Sequence, residues 1–473
     1  MQPIDPADQR CSGVAGAGIS AELRATLALA APLAAANLAQ MAMAVTDIVM
    51  VGRLGAMPLA AAGLGAMLYF TGGVMLQGIL TAVAPLAAHA LGAGDRTAAG
   101  RITGAGLTLA ILLTVPFVGG LTTLDRPLHA LGYDPALAAE IGRFLRAIAW
   151  GGPAFLGFAV LRSLLAALSR TRAIMMVLLA CVAGNAALNW MLIYGHLGAP
   201  ALGVAGSGYA SAINQCLIFV GLALCTRALP GLSGLRVIRS VFAARCWVHV
   251  GSILRLGLPI GGIMGVEVGV FLTAGILMGL LGTAALGAHQ LVLNCAGISF
   301  MVPLGLGQAA TVRVAYELGT GRTYAARRAA YTALALGVAF MSATAVLLWT
   351  VPQAIIAVYI DIADATNRET VQIARRLLAI AAIFQVFDGV QVIAAGALRG
   401  YKDTMIPMLL AGFGYWGAGF LGGWLLAFPF GYGAVGLWWG LALGLGVVAA
   451  LLSLRLYLLA PPIPQAAETV AAS

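Results

Sequence analysis

An all-α polytopic membrane protein, with twelve transmembrane helices in two homologous six-helix lobes, is the fold class this sequence predicts. Three observations carry it: an apolar composition, twelve hydrophobic runs of spanning length, and a repeat that relates one half of the chain to the other. The chain is 61% hydrophobic and 9% charged, with a mean hydropathy of +0.98. Soluble domains carry roughly 25% charged residues, and 473 residues with so few charges could not cover a water-facing surface.

In order, the runs fall at roughly 25–52, 58–90, 101–123, 140–168, 172–195, 202–226, 253–281, 284–312, 327–351, 373–398, 404–428 and 433–458. Each can cross a bilayer as a helix. Helix is required because lipid offers the backbone no hydrogen-bond partner. The loops set the orientation. With the N-terminus inside, the inner loops hold Arg96, Arg101, Arg170, Arg172, Arg322, Arg327, Arg328, Arg399 and Lys402. A central linker holds Arg227, Arg236, Arg239 and Arg245. Three outer loops, around 196–201, 282–284 and 429–432, hold no Lys or Arg, while the outer segments 124–146 and 359–376 hold some, mixed with acids. This bias predicts that both termini are cytoplasmic. The expected organisation is a tail (1–24), an N-lobe (25–226), a linker (227–252), a C-lobe (253–458) and a second tail (459–473). No cleavable signal peptide is expected in the first 24 residues, which hold Asp5, Asp8 and Glu22.

Adding 227 to a first-half position lands on its counterpart: Pro32 on Pro259, Leu54-Gly55 on Leu281-Gly282, Gly94 on Gly321, Ala98-Ala99 on Ala325-Ala326. Later the offset becomes 230, as Gly203 and Gly206 fall on Gly433 and Gly436. An even number of helices per repeat gives two bundles of one orientation, an arrangement met in transporters whose halves rock about a central site. Gly92/Gly94 and Gly319/Gly321 each follow a long helix and read as helix ends and tight turns, not as phosphate loops.

Several functions are excluded. The six cysteines show neither CxxC pairs nor His/Cys ligand spacing, so no disulfide framework or zinc site is expected. The only lysine, Lys402, follows Tyr401, so there is no Gly-Lys-Ser/Thr phosphate loop. The basic residues are scattered through short loops without interleaved aromatics, which argues against nucleic acid. No hydrolytic motif is present, so no catalytic residue, enzyme activity or cofactor is expected.

Three carboxylates lie inside apolar runs: Asp47, Glu267 and Asp388. Arg255 lies twelve residues before Glu267, and Arg376 twelve before Asp388, with Arg399 eleven after. At about 1.5 Å per residue, both acids fall near the middle of the hydrocarbon layer. A charge there costs about 2.5–3.5 kcal/mol or more, so such acids read first as ion, proton or substrate sites. Glu267 follows Pro259, which can kink its helix; the alternative is a protonated glutamate hydrogen-bonded in the bundle. Gln385 and Gln391 share the face of Asp388, a polar stripe suited to a cation, or otherwise to a helix–helix seam. Asp47 lies six residues before Arg53 and could instead be interfacial or paired with it. Asn185 and Asn189 share a face and could meet Asp47, or hydrogen-bond between helices. Gln290 and Asn294 form another i,i+4 pair. Asp361 and Asp364 could attract cations at an outer loop, though a solvated loop is the default. Methionines and aromatics can line an adaptable cavity, with ordinary packing the plainer reading.

The stretches VTDIVMVGRLG, GNAALNW, LPIGGIMGVEVGVF with GAHQ, MVPLGLGQAATVRVAYELG and FQVFDGVQVIAAGALRGYKD, in this order, resemble the multidrug and toxic compound extrusion (MATE) transporters of the bacterial NorM-like type. The resemblance implies a V-shaped pair of lobes in the bacterial inner membrane, monomeric, exporting small cationic or amphipathic compounds against inward Na⁺ or H⁺. It implies cation binding at Glu267 and Asp388, with Na⁺ an expected occupant there. It implies a first-lobe polar site at Asp47, Asn185 and Asn189, with Ser211 where a threonine often stands. Gln290, with Gln385, Asp388 and Glu267, is the implied substrate contact. Phe384 departs from a tyrosine found in some members, which removes a hydroxyl from the cation site. The alternatives in the same superfamily are a lipid-linked-sugar flippase, for which Arg162 is the residue to inspect, and a narrow metabolite exporter.

Overall fold

The structure is a computed structural model that describes residues 19–124, 132, 134–228, 241–242 and 247–460. Cys11, His129, Arg236, Arg239, Arg245 and Cys246 lie outside the described residues, as does most of the expected tails and linker. All regular structure among the described residues is helical. Among the described residues, eleven helices are long and apolar enough to span a membrane, or twelve if a pair bent by 49° counts as one span.

The chain forms two contact units. The first contains residues 28–91 and 95–272, and the second 19–27, 92–94 and 273–460. In the first, α1 (Ile19–Gly52), which enters this unit at Ala28, is followed by α2 (Ala56–Leu80), α3 (Val83–Gly92), which leaves it after Leu91, α4 (Arg96–Thr122), α5 (Pro135–Ala149), α6 (Gly152–Ala167), α7 (Thr171–Tyr194) and α8 (Val204–Ala228). Next comes α9 (Trp247–Leu280), which stays with the first unit as far as Leu272. Local chemistry sets these boundaries. Asp95 caps α4 by accepting from the Ala98 N–H at 2.8 Å, and Asp134 caps α5 ahead of Pro135. The chain breaks at Trp150–Gly151, where Pro153 sits in the first turn of α6. A Cβ on Gly151 would come within 2.8 Å of the Ala212 Cα, so the break lies directly against α8.

The second unit comprises α10 (Thr283–Gly319), α11 (Thr323–Thr350), the short α12 (Pro352–Ala357), a 3₁₀ turn at Ala365–Asn367, α13 (Arg368–Gly400), α14 (Met405–Gly412), a π-helical stretch at Phe413–Phe420, α15 (Leu421–Ala427) and α16 (Gly433–Leu459). Helix α13 is the most enclosed span and packs against α10, α11 and α16.

The repeat seen in the sequence is written into the backbone. Gly55 and Gly282 have φ of 116° and 117°, Gly94 and Gly321 of 77° and 78°, and Gly203 and Gly433 of 58° and 55°. Each pair holds at the same turn of its half a conformation that L side chains rarely adopt.

Helix α1 begins at Ile19, and Glu22 is buried in its first turn. Glu22 pairs with Arg313 of α10 at 2.6 Å and Arg328 of α11 at 3.2 Å. Arg322 pairs with Glu317 at 3.0 Å, and Arg455 with Asp403 at 2.8 Å. Asp361 and Asp364 serve their own turns, accepting from the Ala363 and Thr366 N–H groups at 2.9 Å each. The Thr366 N–H bond holds the Asp364 carboxyl below its ordinary range.

Glycines let the last two spans meet. A Cβ on Gly440 of α16 would overlap the Gly423 Cα, backbone against backbone. Contacts this close between small residues are how helices associate in lipid, where apolar burial gives little drive. Gly440→Ala is expected to push α16 away from α15 and destabilise the protein by about 1–3 kcal/mol. A lowered thermal unfolding midpoint of the purified protein checks this; an unchanged midpoint would show that the seam yields freely.

Candidate functional site

Asp47 stands near the end of α1, and the facing helices supply its partners. The amide nitrogens of Asn185 and Asn189 on α7 donate to its Oδ1 at 3.0 and 2.6 Å. The Ser211 hydroxyl on α8 donates to its Oδ2 at 2.9 Å. Asn185 and Asn189 are almost wholly enclosed, at 1% and 0% exposure. Spacing explains the convergence, since residues four apart on α7 share one face. The end of α7 is pinned to α1 by the Tyr194 hydroxyl, which donates to the Met50 carbonyl at 2.6 Å. The three partners of Asp47 are neutral, and Arg53 lies beyond the helix end and exposed. No cationic side chain is among the hydrogen-bond partners of the carboxyl group.

This carboxylate lines a cavity of about 480 Å³ within the first unit. The walls include Met43, Met67, Phe70, Phe144, Phe155 and Phe158, and Asp47 is the one charged residue among them. Its other polar lining residues include Gln40, Gln77, Asn185, Ser211, Asn214 and Gln215. The Oδ1 atoms of Asn185, Asn189 and Asn214 are buried with no hydrogen bond among the described residues. A deep, mostly apolar cavity with a few convergent polar groups is the usual form of a small-molecule site. One carboxylate in such a wall attracts cations strongly: at about 4 Å and an effective dielectric near 20, the pair is worth about 4 kcal/mol.

Sequence reading missed part of this lining. Tyr69 on α2 donates to Gln215 Oε1 at 3.0 Å, and Gln77 donates to the Phe155 carbonyl at 3.2 Å. Asn214 donates to the Met43 sulfur at 3.0 Å. A signal was available on α8, where Ser207, Ser211 and Asn214 recur at spacings of four and three residues. Arg162 does not line the cavity. It is half-buried and donates to Asn37 Oδ1 at 2.5 Å. No basic residue lines this cavity, which sets it apart from a site built for an anionic head group.

The other singled-out residues lie elsewhere. Glu267 is half-buried on the part of α9 that belongs to the first unit, whereas Asp388 is buried on α13 of the second. Gln391 donates to Asp388 Oδ1 at 3.2 Å. Gln385 is buried and accepts from the Ser299 hydroxyl of α10 at 3.0 Å. Phe384 is buried and packs on Trp438, with ring centroids 5.4 Å apart. Gln290 is exposed on α10, and its carbonyl accepts from Asn294 at 2.9 Å. Among the described residues no group of three or more His, Cys, Asp or Glu side chains could hold a metal ion.

Comparison with known proteins agrees with this architecture. The MatE family model matches residues 32–191 and 259–425. The two matches start at Pro32 and Pro259, the same pair that the internal repeat relates. The chain is 43% identical over 447 residues to the probable multidrug resistance protein NorM of Mesorhizobium japonicum, covering 93% of this chain and 96% of that protein. It is 44% identical over 438 residues to the multidrug resistance protein NorM of Burkholderia vietnamiensis, covering 92% and 93%. Among solved structures, the eukaryotic MATE transporter AtDTX14 superposes with a TM-score of 0.83 at 23% identity, over 93% of this chain and 96% of that one. An outward-facing multidrug resistance MATE family transporter of the MOP superfamily superposes with 0.83 at 16% identity, over 98% and 100%. These two likenesses establish the fold. With the family model covering both halves and relatives above 40% identity along nearly the whole length, this multi-pass membrane protein belongs to the MatE family.

Proposed function

We propose that the protein is a secondary multidrug antiporter that exports small organic cations in exchange for inward Na⁺ or H⁺ by alternating access. The observation that carries this reading is the single carboxylate, Asp47, in an aromatic and methionine-rich cavity without a basic residue. Such walls adapt to varied apolar bodies, while Asp47 selects for positive charge. The names of the NorM relatives support export of several compounds.

In this reading Asp47, Asn185, Asn189 and Ser211 form the first-lobe cation site, and Glu267 and Asp388 the second, with Na⁺ or a proton as occupant. Gln290 and Gln385 contact substrate. The lobes are residues 25–226 and 253–458 around a linker at 227–252. The protein works as a monomer in the bacterial inner membrane with both termini cytoplasmic. Binding of the coupling ion neutralises the carboxylates and weakens their hold on a cationic substrate, which favours release outside. An ion shifts the equilibrium only by its differential affinity for the two states, and the shared carboxylates supply that difference.

Ethidium efflux from proteoliposomes tests this, with Na⁺ and pH gradients imposed separately. The expected result is efflux driven by one gradient and lost in Asp388→Asn. Efflux that neither gradient drives would overturn coupled exchange. Efflux with unchanged ion dependence in both Asp388→Asn and Glu267→Gln would remove those acids from the mechanism.

A further inference from the structure

The Asp47 cavity is polar at more than one level. On α1, Gln40 stands seven residues before Asp47, and both line the cavity. Seven residues are two turns, which puts the pair on one face of the helix, about 10 Å apart along its axis. On α8, Gln215 stands four residues after Ser211, whose hydroxyl holds Asp47. It therefore lies one turn, about 6 Å, beyond that contact. Gln77 of α2 lines the same cavity.

Two of these amides are fixed in orientation. Gln77 Nε2 donates to the Phe155 carbonyl at 3.2 Å. A carbonyl can only accept, so Oε1 is the atom that Gln77 has left to offer. The Tyr69 hydroxyl donates to Gln215 Oε1 at 3.0 Å, which leaves Gln215 its two N–H donors. Their anchors are packed together: Tyr69 is fully enclosed, and its ring lies on that of Phe155 with centroids 5.2 Å apart. Gln40, Gln77 and Gln215 are themselves half-buried, and the remaining amide atoms of Gln77 and Gln215 keep accessible surface. One glutamine thus presents an acceptor and the other donors, and neither carries a charge that a cation would have to overcome.

We propose, on the reading of this cavity as a cation site, that Gln77 and Gln215 form a second recognition point. It takes a neutral group that both donates and accepts hydrogen bonds, of the carboxamide type, carried about 6–10 Å from the positive nitrogen. Asp47 selects for charge, and the two glutamines select among cations. Apolar walls discriminate weakly between bodies of similar size, whereas hydrogen-bonding groups left unpaired penalise the wrong ligand. A carboxamide that met only apolar wall would lose its water without return and bind more weakly than a hydrocarbon in its place. The sign of the preference therefore reports whether the amide is met.

Two probes differ in that one group: a trimethylammonium cation joined by a two-carbon chain to the para position of benzamide, and the same cation joined to benzene. Isothermal titration calorimetry of the full chain in detergent reads both affinities. Their ratio within one protein is insensitive to a cavity loosened as a whole. The unaltered protein is expected to bind the benzamide probe about tenfold more tightly, as neutral hydrogen bonds to both glutamines allow. Gln77→Leu and Gln215→Leu are each expected to cut that ratio about threefold, and the two together to bring it to unity or below. Binding of neither probe by the unaltered protein would overturn the cation site, and the second point with it. Binding of both, with the phenyl probe equal or tighter, would overturn the second point alone. A benzamide preference that persists in the double variant would overturn its assignment to Gln77 and Gln215.

Discussion

Asp47→Asn is expected to lower the affinity of the purified protein for ethidium by roughly a hundred- to a thousandfold, and to abolish gradient-driven efflux. The size follows from the attraction of about 4 kcal/mol between unit charges about 4 Å apart at an effective dielectric near 20, with each factor of ten worth about 1.4 kcal/mol. Asparagine keeps the volume of Asp47, and its amide can still exchange hydrogen bonds with Asn185, Asn189 and Ser211. The fold should therefore survive while the charge is lost. Asp47→Glu keeps the charge but carries it one methylene further from those three donors, so an intermediate loss of about tenfold is expected. Fluorescence titration of ethidium in detergent, with a melting curve as the control for folding, measures both. Undiminished affinity in Asp47→Asn would mean that the cavity does not hold the cation.

Glu22→Ala is expected to destabilise the protein by about 3–5 kcal/mol, the cost of leaving a buried charge without its partner. Arg313 is the side chain left behind; its side chain is 8% exposed and pairs with Glu22 at 2.6 Å. Arg328→Ala should cost much less, because that arginine is 24% exposed and water can replace its contact. Glu22→Met combined with Arg313→Met should recover much of the loss, since apolar residues of similar volume often replace a buried ion pair without penalty. Thermal unfolding of the four proteins in one detergent gives the comparison. A double substitution no better than Glu22→Ala would show that packing at this point, and not charge pairing, holds α1 to α10.

Hydropathy was enough to find the spans, because the bilayer forces each crossing segment to satisfy its own backbone. Their internal breaks were not legible. The bend at Gly151 and the π-helical turn at Phe413–Phe420 lie inside runs that read as continuous. At both, glycines lie against a neighbouring helix, Gly151 against Ala212 and Gly419 against Gly444, a contact that composition does not report. Residues four apart on one helix were legible as a shared face, so Asn185 and Asn189 could be grouped in advance. That α7 and α8 bring them and Ser211 onto the two oxygens of Asp47 was not, because helix rotation is set by packing between spans.

Glu22 makes the same point from the other side. In sequence it is one acidic residue in a polar leader, 291 and 306 positions from its two arginines. By itself the sequence determined the class of protein, the number of spans, the twofold repeat and the few polar residues that lipid would not tolerate without a reason. All of these follow from a local cost, the transfer of one residue or one helix out of water. The tertiary structure alone decided which polar residues meet. Asp47 received three neutral donors and a cavity, Glu22 two arginines, and Arg162 an asparagine away from the cavity. Contacts between distant segments depend on how all the helices pack at once, and no local cost encodes that.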